Sequence, residues 1–83
     1  MTQLEDSIDV GAVFTSRGMR PVWFSWQNQR RMIRQITYAW KALDGAQIMR
    51  YFTVADDVGL YDLCFNPRSL QWSLTNVRLN DES

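Results

Sequence analysis

The chain reads as a mainly β domain, an antiparallel meander of five or six strands forming a small half-barrel or strongly twisted sheet. Three observations carry that expectation. Apolar and aromatic residues come in short bursts separated by Gly, Pro, Asn and Asp, which is how strands rather than helices are punctuated. Inside most bursts the apolar positions alternate with period two, as one buried face of a pleated strand requires. Every connection between bursts is short, and short connections join sequential strands as antiparallel neighbours.

The elements follow in order. Val10 to Phe14 is a brief strand candidate ended by Ser16, Arg17 and Gly18. Arg20 to Trp26 comes next, with Pro21 near its start, where the missing N–H is tolerated. Its alternation sets Val22, Phe24 and Trp26 on one face and Trp23 with Ser25 on the other. Gln27-Asn28-Gln29 is a polar turn in which Asn28 is the residue best suited to positive φ. The segment from residue 29 to 43 is ambiguous. Ile33, Ile36, Trp40 and Leu43 fall at helical spacing, whereas the β-branched and aromatic run Ile33, Ile36, Thr37, Tyr38, Trp40 and the tight turn before it favour a strand. We read a strand with a bulge near Arg34-Gln35, a helix being the alternative. Asp44-Gly45 turns the chain into Gln47 to Val54, with Ile48, Phe52 and Val54 on one side and Met49, Tyr51 and Thr53 on the other. After Ala55-Asp56-Asp57-Val58-Gly59, the strand Leu60 to Asn66 groups Tyr61, Leu63 and Phe65 against Asp62 and Cys64. Asn66-Pro67-Arg68-Ser69 is a type I turn candidate, and Leu70, Trp72 and Leu74 then line the last strand through Val77 and Leu79.

Residues 1–8 and 80–83 are polar and acidic without periodicity, so both ends are expected to fray and leave a single domain over 9–79. At 83 residues the chain buries only roughly 60–65% of its unfolded surface, room for one core and no large cofactor cleft. With no His there is no imidazole base or ligand, which removes most hydrolase and zinc chemistry. The single Cys64 cannot form an internal disulfide and fits a reducing cytoplasm, and no 18-residue apolar span or signal sequence suggests a membrane. Cys64 has no activating neighbour in sequence, Asp56 and Asp57 are adjacent turn residues whose side chains diverge, and the glycines are isolated rather than gathered in a phosphate loop. A non-enzymatic protein without cofactor, metal site or evident small-molecule substrate is therefore expected.

A net charge of zero hides a segregation along the chain. Thr15 to Ala55 carries seven cations against Asp44 alone, while both flanks are acidic. Arg30, Arg31, Arg34 and Arg50 from this basic middle are the candidate anion or nucleic-acid contacts, since Arg forks onto phosphate and stacks on bases. Charge blocks of this kind also serve as solvated faces or meet an opposite block across an interface. The aromatics are the richest signal. If Phe24, Trp26, Phe52, Tyr61, Phe65 and Trp72 fill the concave side, Trp23, Tyr38 and Tyr51 remain on the opposite face with Met49. Trp23, Tyr38, Met49 and Tyr51 are thus the candidate interaction surface, for a second copy of the chain or a larger protein. Weak nucleic-acid binding, with Trp23 or Tyr38 stacking on bases, is the alternative.

Taken together, Phe24-Ser25-Trp26, the strand ending in Trp40, Tyr51-Phe52-Thr53-Val54, the run Gly59 to Asn66, and Leu70-Gln71-Trp72-Ser73-Leu74 up to Val77 form a pattern over residues 21–78. It resembles a family of small bacterial domains of unknown function, found as short stand-alone proteins, with related segments at the carboxyl end of some Y-family DNA polymerase homologues. Gln27-Asn28-Gln29 stands where that family usually has Gly in the first hairpin turn, and Asn66 where it tends to have Asp. The resemblance implies an uncharacterised bacterial, cytoplasmic accessory domain with no catalytic residues to carry across.

Overall fold

The computed structural model describes residues 2–80, with side chains from residue 6 onward. Seven strands form one antiparallel sheet: β1 (Thr2–Thr15), β2 (Gly18–Trp26), β3 (Gln29–Met32), β4 (Gln35–Asp44), β5 (Gln47–Ala55), β6 (Gly59–Asn66) and β7 (Gln71–Leu79). Their order is β3-β2-β1-β7-β6-β5-β4, so two meanders are joined where the first strand pairs with the last. The sheet is curled into a half-barrel, and its two edge strands, β3 and β4, are consecutive in the chain. At the link between them the Ile33 amide donates to the Val22 carbonyl (3.0 Å) and the Arg34 amide to that of Ala55 (2.8 Å). Within two residues the chain thus leaves β2 and joins β5, which draws the two edges together at one end. Among the described residues no helix is long and apolar enough to cross a membrane.

The expected five or six strands become seven because the segment from 29 to 43, a strand rather than a helix, is interrupted at Ile33-Arg34. A second irregularity follows. The register of β4 on β5 slips between Ile36 and Tyr38, three residues beyond the expected bulge. Ile36 therefore faces the core with Val54, whereas Tyr38 and Trp40 stand opposite Thr53 and Tyr51 on the convex face.

β1 also starts far earlier than the composition suggested. Asp6, Ser7 and Ile8 pair with Leu74, Ser73 and Trp72 of β7, so residues expected to fray form a ladder instead. At the other end the Asn80 amide donates to the Val58 carbonyl at 2.6 Å, and the expected fray over 81–83 lies outside the described residues.

The concave face holds the core. Phe24, Val54, Tyr61, Leu63 and Leu74 are fully enclosed, and Phe52, Phe65, Trp72, Val77 and Met19 complete the buried set, with Ile8, Val10, Trp26, Ile33 and Ile36 packed around it. Phe24 meets Tyr61 at a ring-centroid distance of 4.9 Å, and Phe65 meets Trp72 at 4.7 Å. Each such side chain contributes roughly 1.5–3 kcal/mol through burial, which the small sheet needs because no second layer covers it.

Local chemistry explains the turns. Gln27 and Asn28 both take positive φ (54° and 61°), the two-residue turn whose twist suits a hairpin. In the β5–β6 turn Asp56 closes the loop on its own backbone. Its Oδ1 accepts the amides of Val58 (2.8 Å) and Gly59 (3.0 Å). Leu70, expected on the face of the last strand, instead ends the preceding turn at φ 61° and is 71% exposed. Ile48 does share a face with Phe52 but is exposed, since β6 pairs with β5 only from Arg50 onward and the tip of the β4–β5 hairpin runs past its neighbours.

Candidate interaction surface

On the convex side of β4 and β5 three rings form a row. Tyr38 lies 5.2 Å from Trp40, centroid to centroid, and Trp40 lies 5.2 Å from Tyr51 with the rings nearly parallel at 8°. Trp40 and Tyr51 are direct cross-strand partners, the arrangement in which a stacked pair contributes roughly 0.5–1.5 kcal/mol beyond its area. Met49, opposite Ala42, continues the same face. Tyr38 is 65% exposed at the outer end of the row, while Trp40, Tyr51 and Met49 are half-buried. Three of the four aromatic-surface candidates are thereby brought together, and Trp40 joins them. Sequence alternation alone assigned Trp40 to no face, because the slip at Thr37 inverts the parity of everything after it.

Beside this row the convex surface is polar and tied down. Thr53 Oγ1 donates to Asp62 Oδ1 at 2.6 Å, Asn76 Nδ2 donates to Asp62 Oδ2 at 3.4 Å, and Thr37 Oγ1 donates to the Thr53 carbonyl at 3.2 Å. Cys64 is in register with Tyr51 and is buried although its strand position faces outward.

Trp23 sits elsewhere, on the outer face of β2, half-buried between β1 and Arg30. A Cβ on Gly11 would come within 2.0 Å of its Nε1, so the indole rests directly on the bare backbone of β1. The Arg30 guanidinium covers it from the other side, 4.0 Å from the ring centroid. A base stacking on the ring face that Arg30 covers would have to displace that cation.

Three of the four candidate arginines, Arg30, Arg31 and Arg34, converge at one end of the sheet, where two of them meet carboxylates, and Arg50 stands apart. Arg31 faces inward opposite Phe24, its guanidinium 5.4 Å from the Trp26 ring and 5.8 Å from Tyr61. It reaches Asp56 Oδ2 at 3.5 Å, and Tyr61 Oη donates to the same oxygen at 3.1 Å. Burial pushes the Tyr61 phenol up to about 12, aided by the Asp56 charge and hydrogen bond and opposed by Arg31. Arg34 pairs with Asp57 at 2.5 Å. Arg30, Arg31, Arg34, Asp56 and Asp57 together line an open hollow of about 620 Å³ at this end of the sheet. Arg50 is remote from them, on the concave face opposite Lys41 and Phe65, near the other end. The Arg31–Asp56 and Arg34–Asp57 pairs escaped sequence reasoning because they join edge strand to turn across more than twenty residues, and no local pattern signals that.

The chain matches no protein-family model, no curated protein and no solved structure.

Proposed function

We propose that the protein is a non-enzymatic binding module that self-associates, two copies meeting along β4 with their Tyr38–Trp40–Tyr51 rows side by side. The observation that carries this reading is the coincidence of an unpaired strand edge with an exposed aromatic row. Among the described residues β4 pairs with β5 on one side and with no strand on the other; it has neither a proline nor a short length to blunt it, and its slip at Thr37 and inward Lys41 leave Tyr38 and Trp40 outward beside the free edge. An edge ten residues long is a template for a second strand, and two copies of one edge pair antiparallel about a two-fold axis. Aromatic and Met side chains at such a place supply the apolar contact that backbone pairing alone lacks. A nucleic-acid platform has less support, because Arg30 lies over the Trp23 ring and, of the three candidate arginines gathered at one end, Arg31 and Arg34 are paired with Asp56 and Asp57.

Sedimentation equilibrium across the micromolar range tests the reading. Wild-type protein is expected to populate a dimer, and Tyr38→Lys, which alters an exposed ring touching only Trp40 among the described ring contacts, should be monomeric with an unchanged circular dichroism spectrum. A wild-type protein that stays monomeric at high micromolar concentration refutes self-association.

A further inference from the structure

The concave face offers a second site, independent of the convex aromatic row. The β1–β2, β4–β5 and β6–β7 turns lie at one end of the half-barrel, linked by a hydrogen bond from Gln47 Nε2 to Asn66 Oδ1. Between them opens a cavity of about 380 Å³, lined by Phe14, Met19, Arg50, Phe65, Pro67 and Leu70, within the size range of small-ligand pockets. Lys41 stands directly opposite Arg50, on the same inward-facing side as Phe65. Like charges across a ladder are unfavourable, and among the described residues the ion pairs found, Arg31–Asp56 and Arg34–Asp57, leave both of these cations uncompensated. Arg17 and Arg68 in the neighbouring turns add to the positive field, against Asp44 alone.

The apolar side of the cavity is as distinctive as its charge. Phe14 is 70% exposed at its rim, although it shares the inward parity of Ala12 and Met19. Leu70 is held at positive φ, where Gly would be unstrained, by a rigid turn. Its amide donates to the Asn66 carbonyl at 2.7 Å, and Asn66 Oδ1 accepts the amides of Arg68 (2.9 Å) and Ser69 (3.2 Å). The turn fixes a large apolar side chain in solvent beside an unpaired guanidinium.

We propose that this mouth binds an acyl carboxylate, its head group taken by Arg50, with Lys41 as the neighbouring cation outside the lining, and its hydrocarbon chain laid against Phe14, Met19, Phe65 and Leu70. Arg forks onto a carboxylate with two parallel hydrogen bonds, a single anionic head matches the two facing cations, and the walls beyond them suit an alkyl chain rather than a polar ligand. The test is a titration of ¹⁵N-labelled protein with decanoate, followed by amide shifts, with acetate and decyltrimethylammonium as charge-only and chain-only controls. Decanoate is expected to bind saturably, with shifts centred on Met19, Arg50, Phe65 and Leu70, and roughly tenfold more tightly than either control. Arg50→Gln should weaken it by a similar factor while Arg50→Lys restores part of the loss, and the spectra of both free variants should keep the wild-type dispersion. Equal binding of the cationic amphiphile, undiminished affinity in Arg50→Gln, or shifts elsewhere overturns the proposal. So does co-sedimentation with phosphatidylglycerol vesicles without saturable decanoate binding, which would assign the mouth to a lipid surface. The outcome is separable from self-association, since Tyr38→Lys should leave decanoate binding intact.

Discussion

Asp56 does more than any other side chain at the end of the sheet where β3 passes into β4. One carboxylate closes the β5–β6 turn through two amides, holds Arg31 over the core aromatics and accepts the hydroxyl of the enclosed Tyr61. A buried phenol beside a carboxylate resists ionisation, and its effect on stability has a definite sign. With Tyr61 raised to about 12 in the folded protein against about 10 when unfolded, its contribution is complete below pH 10 and is lost as pH rises from about 10 to about 12. The loss amounts to something on the order of 2 kcal/mol. Chemical denaturation across that window should show the decline in wild type and a shallower one in Tyr61→Phe, which has no proton to lose there. Asp56→Asn, by removing the negative charge, should bring the tyrosinate absorbance step at Tyr61 to lower pH. A wild-type profile as shallow as that of Tyr61→Phe would show that the phenol is not held protonated by its surroundings.

At the scale of elements, the close approach of β6 and β7 is the most exacting contact. Gly59 faces Leu79 in register, and a Cβ there would stand 2.6 Å from the Arg78 carbonyl oxygen and 2.9 Å from the Leu79 Cα. Backbone cannot swing aside, so Gly59→Ala should cost roughly 1–3 kcal/mol and lower the thermal midpoint by about 5–20 °C. Gly11→Ala meets only the Trp23 ring, which can rotate outward at the expense of the Arg30 contact, and should cost less by the same thermal measurement. A Gly59 variant melting with wild type would mean that β7 gives way there. The legibility of these elements follows the range of the forces that set them. Tyr61, Leu63 and Phe65 were readable because period-two alternation is local and their strand carries no extra residue, and Phe24 with Trp26 was readable for the same reason, whereas Val22 of the same expected face is the extra residue of a bulge against β1 and is absent from the core. The outward turn of Trp40 was not, since one slipped residue at Thr37 leaves no compositional trace. Neither was the pairing of β1 with β7, because polar Asp6 and Ser7 are ordered by a partner from the far end of the chain. Within the candidate surface Met49 and Tyr51 were legible by parity, whereas the outward turn of Tyr38 follows the same slip at Thr37 as that of Trp40, and the contacts of Trp23 with Arg30 and Gly11 depend on a three-strand arrangement.

Across the whole molecule, folding undoes the charge segregation seen along the chain. The basic middle and the acidic later segment meet through Arg31 with Asp56 and Arg34 with Asp57, while Arg30 is spent on an aromatic ring. Among the described residues Arg17, Arg20, Lys41, Arg50, Arg68 and Arg78 are left without a carboxylate, and of these only Arg50 lines the concave mouth, so they are spread over turns and strands rather than set along one groove that could track a phosphate backbone. Nucleic-acid affinity scales with the number of phosphates neutralised, each contributing nearly one unit to the slope of log affinity against log salt. Cations scattered over separate places engage few phosphates of one strand at once, which should give a slope well below that of a dedicated binding protein. Fluorescence anisotropy with labelled single-stranded DNA, single-stranded RNA and duplex DNA is therefore expected to show weak binding at low salt, no preference for single strands, and no signal at physiological salt. Tight, steeply salt-dependent binding that favours single strands would require Arg30 to leave Trp23 and Arg34 to leave Asp57 on contact with the strand. In that case Arg30→Gln and Arg34→Gln should each lower the salt slope by about one unit, and the role of the sheet would shift from self-association toward nucleic acid.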